Sequence, residues 1–127
     1  DTGLGTHLAQ SRVDRVVAIP LHPRRLAERG YNQADRLALQ LARRYRLPLS
    51  RRGLVRTRAT PAQAGLPEHR RNRNLRGAFR ARSERVAGHR ILLVDDVVTS
   101  GATVEAAANA LLEAGAGMVT VAALARA

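Results

Sequence analysis

The sequence contains no cysteine, no lysine and no tryptophan, and its aromatic content of 2% comes from Tyr31, Tyr45 and Phe79. Without cysteine the chain forms neither disulfides nor thiolate zinc sites, and no zinc ligands are expected. So few aromatic side chains argue against the stacking platforms that bind single-stranded nucleic acid. No apolar run approaches the roughly 20 residues of a membrane span, and no signal-peptide pattern is present, so a cytoplasmic location is expected.

Charge is the next feature, because arginine supplies all 22 basic residues against 10 acidic ones, and the formal net charge is +12. Guanidinium groups bind phosphate with two parallel hydrogen bonds, which the lysine ammonium cannot do. Such a charge favours polyanionic partners, either a phosphorylated small molecule or a nucleic acid. A genome-wide coding preference for arginine also explains the absence of lysine, so both interpretations stay open.

The pattern of apolar residues predicts an α/β fold. A chain of 127 residues, 45% of them hydrophobic, suits one domain over residues 1–127, with residues 1–12 as the remnant of an upstream segment. The predicted order is strand, helix, strand, long loop, strand, strand, helix, strand, which favours a parallel β-sheet flanked by helices. The predicted elements cover residues 15–20, 32–46, 54–55, 78–79, 91–94, 104–114 and 118–124.

The most informative segment is ILLVDDVVTSGAT, from Ile91 to Thr103. Its aliphatic start is typical of a strand buried on both faces of a parallel sheet, so Asp95 and Asp96 are predicted at the strand's carboxyl end, where open α/β sheets bind ligands. A turn of small residues then opens a helix and offers N–H groups and hydroxyls to an anion. The turn comprises Thr99, Ser100, Gly101, Ala102 and Thr103.

Two neighbouring carboxylates beside this turn repel an anion unless they face hydroxyl groups or a metal ion. A ribose 2′,3′-diol with Mg²⁺ meets that condition, so the segment predicts a sugar-phosphate site. In the alternative interpretation, Asp95 and Asp96 merely end a strand and Thr99 or Ser100 caps a helix. That alternative explains each feature separately but not their combination.

The segment resembles the phosphoribosyl pyrophosphate (PRPP) signature of type I phosphoribosyltransferases. Residues 20–34 (PLHPRRLAERGYNQA), 60–63 (TPAQ) and 73–79 (RNLRGAF) resemble the ComF/GntX branch of that family, which is associated with bacterial competence. The resemblance extends from about Val13 to the end of the sequence. It implies a type I phosphoribosyltransferase (Rossmann-like) core, with the family's hood and N-terminal zinc module missing.

The resemblance also implies a role for each candidate residue. Asp95 and Asp96 bind the ribose hydroxyls with Mg²⁺, which enters with PRPP, and residues 99–103 bind the 5′-phosphate. The pyrophosphate loop comprises Leu21, His22, Arg24, Arg25 and Arg29. The polar stretch 57–74 resembles a mobile loop that closes over PRPP, and an exposed basic hairpin is the alternative. Its candidate residues are Thr60, Gln63, Arg71, Arg73 and Asn74.

The implied reaction is displacement of pyrophosphate from C1 of PRPP by an unidentified nitrogen nucleophile. Purine-salvage relatives carry an acidic residue where this chain has Thr99, so the loop looks more like the orotate type. Three functions stay open. They are a ComF-type transferase linked to DNA uptake, a PRPP-sensing regulator without catalysis, and a basic accessory that binds single-stranded DNA or competence proteins.

Overall fold

The computed structural model describes residues 12–21, 26–27, 30, 32–57, 77–98 and 101–126. The elements are β1 (Arg15–Ala18), α1 (Gln33–Tyr45), β2 (Leu54–Arg56), β3 (Phe79–Ala81), α2 (Ser83–Val86), β4 (Arg90–Val98), α3 (Ala102–Glu113) and β5 (Met118–Arg126). The predicted order is confirmed, and the short helix α2 is additional. Four residues are too few to show helical periodicity, so the sequence gives no signal for α2. Among the described helices, none combines the length and apolar character needed to cross a bilayer.

Three strands form a parallel sheet in the order β1-β4-β5. Their amino ends are aligned, since Arg15 pairs with Ile91 and Arg90 pairs with Met118. The predicted parallel sheet is therefore confirmed for these strands. In contrast, β2 and β3 form a separate antiparallel pair. An antiparallel pair needs no helical crossover between its strands, whereas a parallel pair does.

Alternate residues of β1 and β4 contact different layers, as the period of two in a strand requires. Helix α1 covers one face of the sheet, while α2, α3 and the β2–β3 pair cover the other. The α1 face buries Val16, Ala18, Leu92 and Val94 against Ala34 and Ala38. The opposite face buries Val17, Ile91 and Leu93 against Leu54, Phe79, Val86 and Leu111. Coverage on both faces explains why residues 91–94 of β4 form an uninterrupted aliphatic run.

Helix α1 begins where the sequence predicts, because Asn32 caps it. The Asn32 side chain accepts a hydrogen bond from the Ala34 amide at 3.1 Å. Its Nδ2 donates to the Ile19 carbonyl, also at 3.1 Å. The cap thus ties the start of α1 to the carboxyl end of β1. The helix ends at Tyr45, and Arg46 adopts a left-handed conformation with φ 55°.

Candidate functional site

The two carboxylates lie where β1 has ended and only β4 and β5 continue. The strand was predicted to end before Asp95, but this boundary is wrong, since β4 continues to Val98. Pairing with β5 persists there, with Asp95 opposite Ala123. On the other side β1 stops, and its last contact is the Ile19 amide donating to the Val94 carbonyl at 2.8 Å. The Ile19 carbonyl accepts from Asn32 instead of from β4, so Asp95 lies past the end of β1 while it remains paired with β5.

Asp95 and Asp96 belong to opposite faces of the sheet by strand alternation. Asp95 shares its face with Leu93, on the side of α3 and the β2–β3 pair, and Asp96 shares its face with Val94. Oδ1 of Asp95 accepts a hydrogen bond from the Asp96 amide at 2.9 Å. Burial, together with the neighbouring Asp96 side chain, raises the pKa of Asp95 to about 6. A nearby cation therefore stabilises its ionised form.

Arg56 supplies such a cation, and sequence reasoning missed it. Arg56 is the last residue of β2, and its guanidinium lies 4.9 Å from the centroid of the Phe79 ring. Phe79 belongs to the same buried cluster as Leu93, which precedes Asp95 by two residues on the same face. The positive charge of Arg56 lowers the pKa of Asp95, partly opposing the effect of burial. The sequence carries no signal for this role, because Arg56 meets Phe79 only through the pairing of β2 with β3.

The two ends of the long polar stretch meet beside Arg56. The Thr57 hydroxyl donates to the Gly77 carbonyl at 2.6 Å. The Thr57 amide donates to the Ala78 carbonyl at 2.7 Å. The candidate residues inside the stretch lie outside the described residues, namely Thr60, Gln63, Arg71, Arg73 and Asn74. The two ends of the predicted loop are therefore joined directly after Arg56, at one end of the β2–β3 pair.

The predicted phosphate turn is partly helix. Ala102 and Thr103, predicted in the turn, form the first turn of α3, because Gly101 already begins the helix with φ 84°. Gly101 makes no side-chain cap, and the Glu105 amide donates to its carbonyl at 2.8 Å. The first amides of a helix have no acceptor within it, so this end suits an anion. Thr99 and Ser100 lie outside the described residues.

The predicted pyrophosphate loop begins at the same sheet edge. Leu21 is half-buried and follows shortly after Ile19, whose amide donates to the Val94 carbonyl. His22, Arg24, Arg25 and Arg29 lie outside the described residues. Within the described ranges, no cluster of three or more His, Asp or Glu side chains could hold a metal ion by itself. Two carboxylates fit Mg²⁺, which is commonly bound by one or two carboxylates plus substrate phosphates.

A parallel sheet with carboxylates at its carboxyl edge and a helix start beside them matches a known family. Residues 26–127 match the model of the phosphoribosyl transferase domain. The chain belongs to the phosphoribosyltransferase family. It is 44% identical over 108 residues to DNA utilization protein YhgH of Escherichia coli K12, covering 85% of this chain and 47% of that protein. It is 35% identical over 116 residues to Competence protein F of Haemophilus influenzae, covering 90% of this chain and 51% of that protein.

These relatives confirm the predicted resemblance to ComF-type phosphoribosyltransferases, and the chain spans about half of their length. Solved structures confirm the type I core. The glutamine PRPP amidotransferase of B. subtilis, solved with ADP and GMP, aligns with a TM-score of 0.61 and 25% identity, over 87% of this chain and 22% of that chain. A purine phosphoribosyltransferase from Pyrococcus horikoshii shares the fold, with a TM-score of 0.54 and 16% identity. This alignment covers 98% of this chain and 68% of that chain.

Proposed function

We propose that the chain is a PRPP-binding phosphoribosyltransferase domain of the ComF type, extending over residues 1–127. It displaces pyrophosphate from C1 of PRPP with a nitrogen nucleophile, and it serves the handling of DNA taken up by the cell. The names of its relatives, a competence protein and a DNA utilization protein, support this cellular role. The observation that carries the biochemical part is the carboxylate pair on β4, past the end of β1, with a short connection from β4 to the start of α3.

The proposed site divides PRPP among three segments. Asp95 and Asp96 accept hydrogen bonds from the ribose 2′- and 3′-hydroxyls. The 5′-phosphate binds the start of α3, through Thr99, Ser100, Gly101, Ala102 and Thr103. The pyrophosphate binds the loop after β1, through Leu21, His22, Arg24, Arg25 and Arg29. Loop residues Thr60, Gln63, Arg71, Arg73 and Asn74 close over the ligand and exclude water from the oxocarbenium-like transition state.

Mg²⁺ supplies positive charge that stabilises the departing pyrophosphate when it is bound. Asp95 and Asp96 are the protein groups that would hold it, together with oxygens of PRPP. For that role Asp95 must be ionised, and its pKa of about 6 makes ionisation incomplete in mildly acidic solution. Arg56, stacked on Phe79, favours the ionised carboxylate. We therefore assign Arg56 as a residue that positions charge beside the ribose site.

No protein nucleophile takes part in this reaction, because the incoming nitrogen attacks C1 directly. Thr99 stands where purine-salvage relatives carry an acid, so the chain offers no carboxylate there to take a proton from a purine ring. An amine or a nitrogen that loses its proton to solvent is therefore the expected nucleophile class. PRPP binding without turnover would instead indicate the PRPP-sensing regulator.

Calorimetry with Mg-PRPP, Mg-pyrophosphate and ribose 5-phosphate tests the binding part of the proposal. We expect Mg-PRPP to bind at least about tenfold more tightly than either fragment, because only PRPP occupies all three segments. A screen of bases and amines for pyrophosphate release then tests catalysis. Equal affinity for PRPP and pyrophosphate would contradict the ribose site, since it would leave only nonspecific attraction to an arginine-rich protein.

A further inference from the structure

Four exposed arginines lie together at the opposite end of the fold from the carboxylates. We call Arg51, Arg52, Arg82 and Arg85 the arginine cluster, and their side chains are all exposed. The Arg82 amide donates to the Gly53 carbonyl at 2.9 Å, which joins the segment after Arg52 to the start of α2. Nη1 of Arg15, at the amino end of β1, donates to the Arg85 carbonyl at 2.9 Å. These contacts bring together residues that are far apart in the sequence.

The β2–β3 pair separates the cluster from the PRPP site. One end of the pair is Arg56 opposite Phe79, near Asp95, and the other is Leu54 opposite Ala81, next to Gly53 and Arg82. The three-stranded sheet shows the same separation. Arg15 pairs with Ile91, and Ile91 precedes Asp95 by four residues. At about 3.3 Å per residue, this is roughly 13 Å along the strand. The cluster therefore lies toward the opposite end of the strands from a PRPP molecule held by Asp95.

The charge of the cluster is not neutralised by nearby carboxylates. Among the described residues, no carboxylate oxygen lies within 4 Å of these four guanidinium groups, and Asp14 at this end contacts the His89 ring instead. Glu84, which is exposed on α2, is the acidic neighbour in sequence. Four uncompensated guanidinium groups on an open surface create a positive potential that attracts a polyanion.

We propose that the arginine cluster binds the phosphodiester backbone of a nucleic acid. The guanidinium groups come from two segments on an open surface, which suits a chain of repeated phosphates better than one enclosed anion. Guanidinium groups also bind each phosphate with two hydrogen bonds. A bilayer surface usually takes exposed apolar side chains as well. The large exposed ones in the described part of the chain, Leu26, Leu112 and Val121, belong to other segments.

Fluorescence anisotropy with short single-stranded and duplex DNA tests this proposal, over about 50 to 200 mM salt. The test variant changes all four arginines to glutamine, and the matched control changes the same four to lysine, which keeps the charge. For single strands we expect the glutamine variant to lose at least about tenfold in affinity at low salt, with a log-log salt slope shallower by roughly 2 to 3. The lysine control should keep the wild-type slope. A preference for one DNA form identifies which backbone fits.

Mg-PRPP titration of the glutamine variant shows whether the effect is local, and its affinity should equal that of the wild type. Three results would overturn the proposal. In the first, wild type and glutamine variant bind DNA equally. In the second, the glutamine variant loses DNA and PRPP binding together, which indicates damage to the fold. In the third, anionic phosphatidylserine vesicles bind the wild type while DNA does not, which indicates a membrane surface.

Discussion

At the scale of single residues, the site depends on how Asp95 balances burial against nearby charge. Its half-buried position and the adjacent Asp96 raise its pKa to about 6, while Arg56 acts in the opposite direction. The sequence alone predicts the carboxylate pair, because an aliphatic run followed by Asp-Asp places both at a sheet edge. It cannot predict Arg56, because its proximity to Asp95 depends on β2 pairing with β3 on one particular face.

Changing Arg56→Gln should shift the pH dependence of PRPP binding. Arg56 favours the ionised form of Asp95, so its loss raises the pKa of Asp95 above about 6. Affinity for Mg-PRPP should therefore begin to fall at a higher pH than in the wild type. Calorimetric titrations at several pH values measure this shift, and Arg80→Gln, an exposed change on the neighbouring strand β3, is the control. Identical pH profiles for wild type and Arg56→Gln would contradict the assignment.

The stability of the unliganded protein gives a second prediction. A carboxyl whose folded pKa exceeds its unfolded value destabilises the fold as pH rises through the interval between them, here from 3.8 to about 6. Asp95→Asn removes this penalty while keeping an oxygen to accept from the Asp96 amide. After allowance for partial solvent exposure, we expect the free energy of unfolding to rise by roughly 1 kcal/mol at neutral pH.

Urea unfolding at neutral pH and near pH 4 measures this difference, which should nearly vanish at the lower pH. Asp35→Asn, in the first turn of α1, is a control of opposite sign, because a carboxylate stabilises a helix start. A loss of stability in Asp95→Asn at neutral pH would show that the carboxylate has a stabilising partner instead.

At the scale of elements, the sequence predicts a helix that has a clear apolar period. It does not predict strand boundaries that depend on which strands pair. The helix over residues 32–46 is predicted from the Asn32 cap and the apolar stripe, and the observed α1 matches closely. The end of β4 is predicted too early, because a run of aliphatic residues marks burial and not pairing. The strand continues past the polar Asp95 and Asp96 because β5 still pairs with Asp95, Val97 and Val98.

The start of α3 can be tested by Gly101→Ala. Gly101 has φ 84°, and a residue with a side chain pays about 1 to 2 kcal/mol in this conformation. A methyl group there meets no atom within 4 Å, so the cost is one of backbone conformation. We expect lower stability and weaker binding of ribose 5-phosphate, because the helix start shifts. Urea unfolding and calorimetry measure the two effects.

Gly88→Ala is the matched control. Gly88 has φ 76° with equally open space around it, and it precedes β4 at the amino end of the sheet. The Gly88→Ala variant should lose about as much stability as Gly101→Ala but keep its affinity for ribose 5-phosphate. If the two variants bind this ligand equally well, the start of α3 does not hold the phosphate.

The stretch of residues 57–74 can be tested by hydrogen exchange. As a loop that closes over PRPP, its amides should exchange rapidly in the free protein and become protected when Mg-PRPP is bound. Amides of Leu92 and Leu93, which are fully buried in β4, serve as an internal reference that should not change. Strong and equal protection with and without ligand would rule out closure and favour the basic hairpin.

At the scale of the whole molecule, the two proposed anion sites lie at opposite ends of one sheet. The PRPP site proposed here lies at the carboxyl ends of the strands, and the arginine cluster lies near the amino end of β1. The net charge of +12 is plain in the sequence. The position of the arginine cluster is not evident from the sequence. Arg51 and Arg82 are brought together by the contact between Gly53 and Arg82 at the end of the β2–β3 pair. The composition therefore indicates a polyanionic partner, and the fold separates the arginine cluster from the proposed PRPP site.

The most direct test of the ribose site is Mg-PRPP titration of the double variant Asp95→Asn with Asp96→Asn. Both substitutions keep the size of the side chain and remove its charge, so circular dichroism and urea unfolding should show an intact fold. We predict that affinity for Mg-PRPP falls at least tenfold, about 1.4 kcal/mol, because the ribose hydroxyls and Mg²⁺ lose their carboxylate partners. Unchanged affinity in the folded double variant would contradict the assignment of these carboxylates to PRPP.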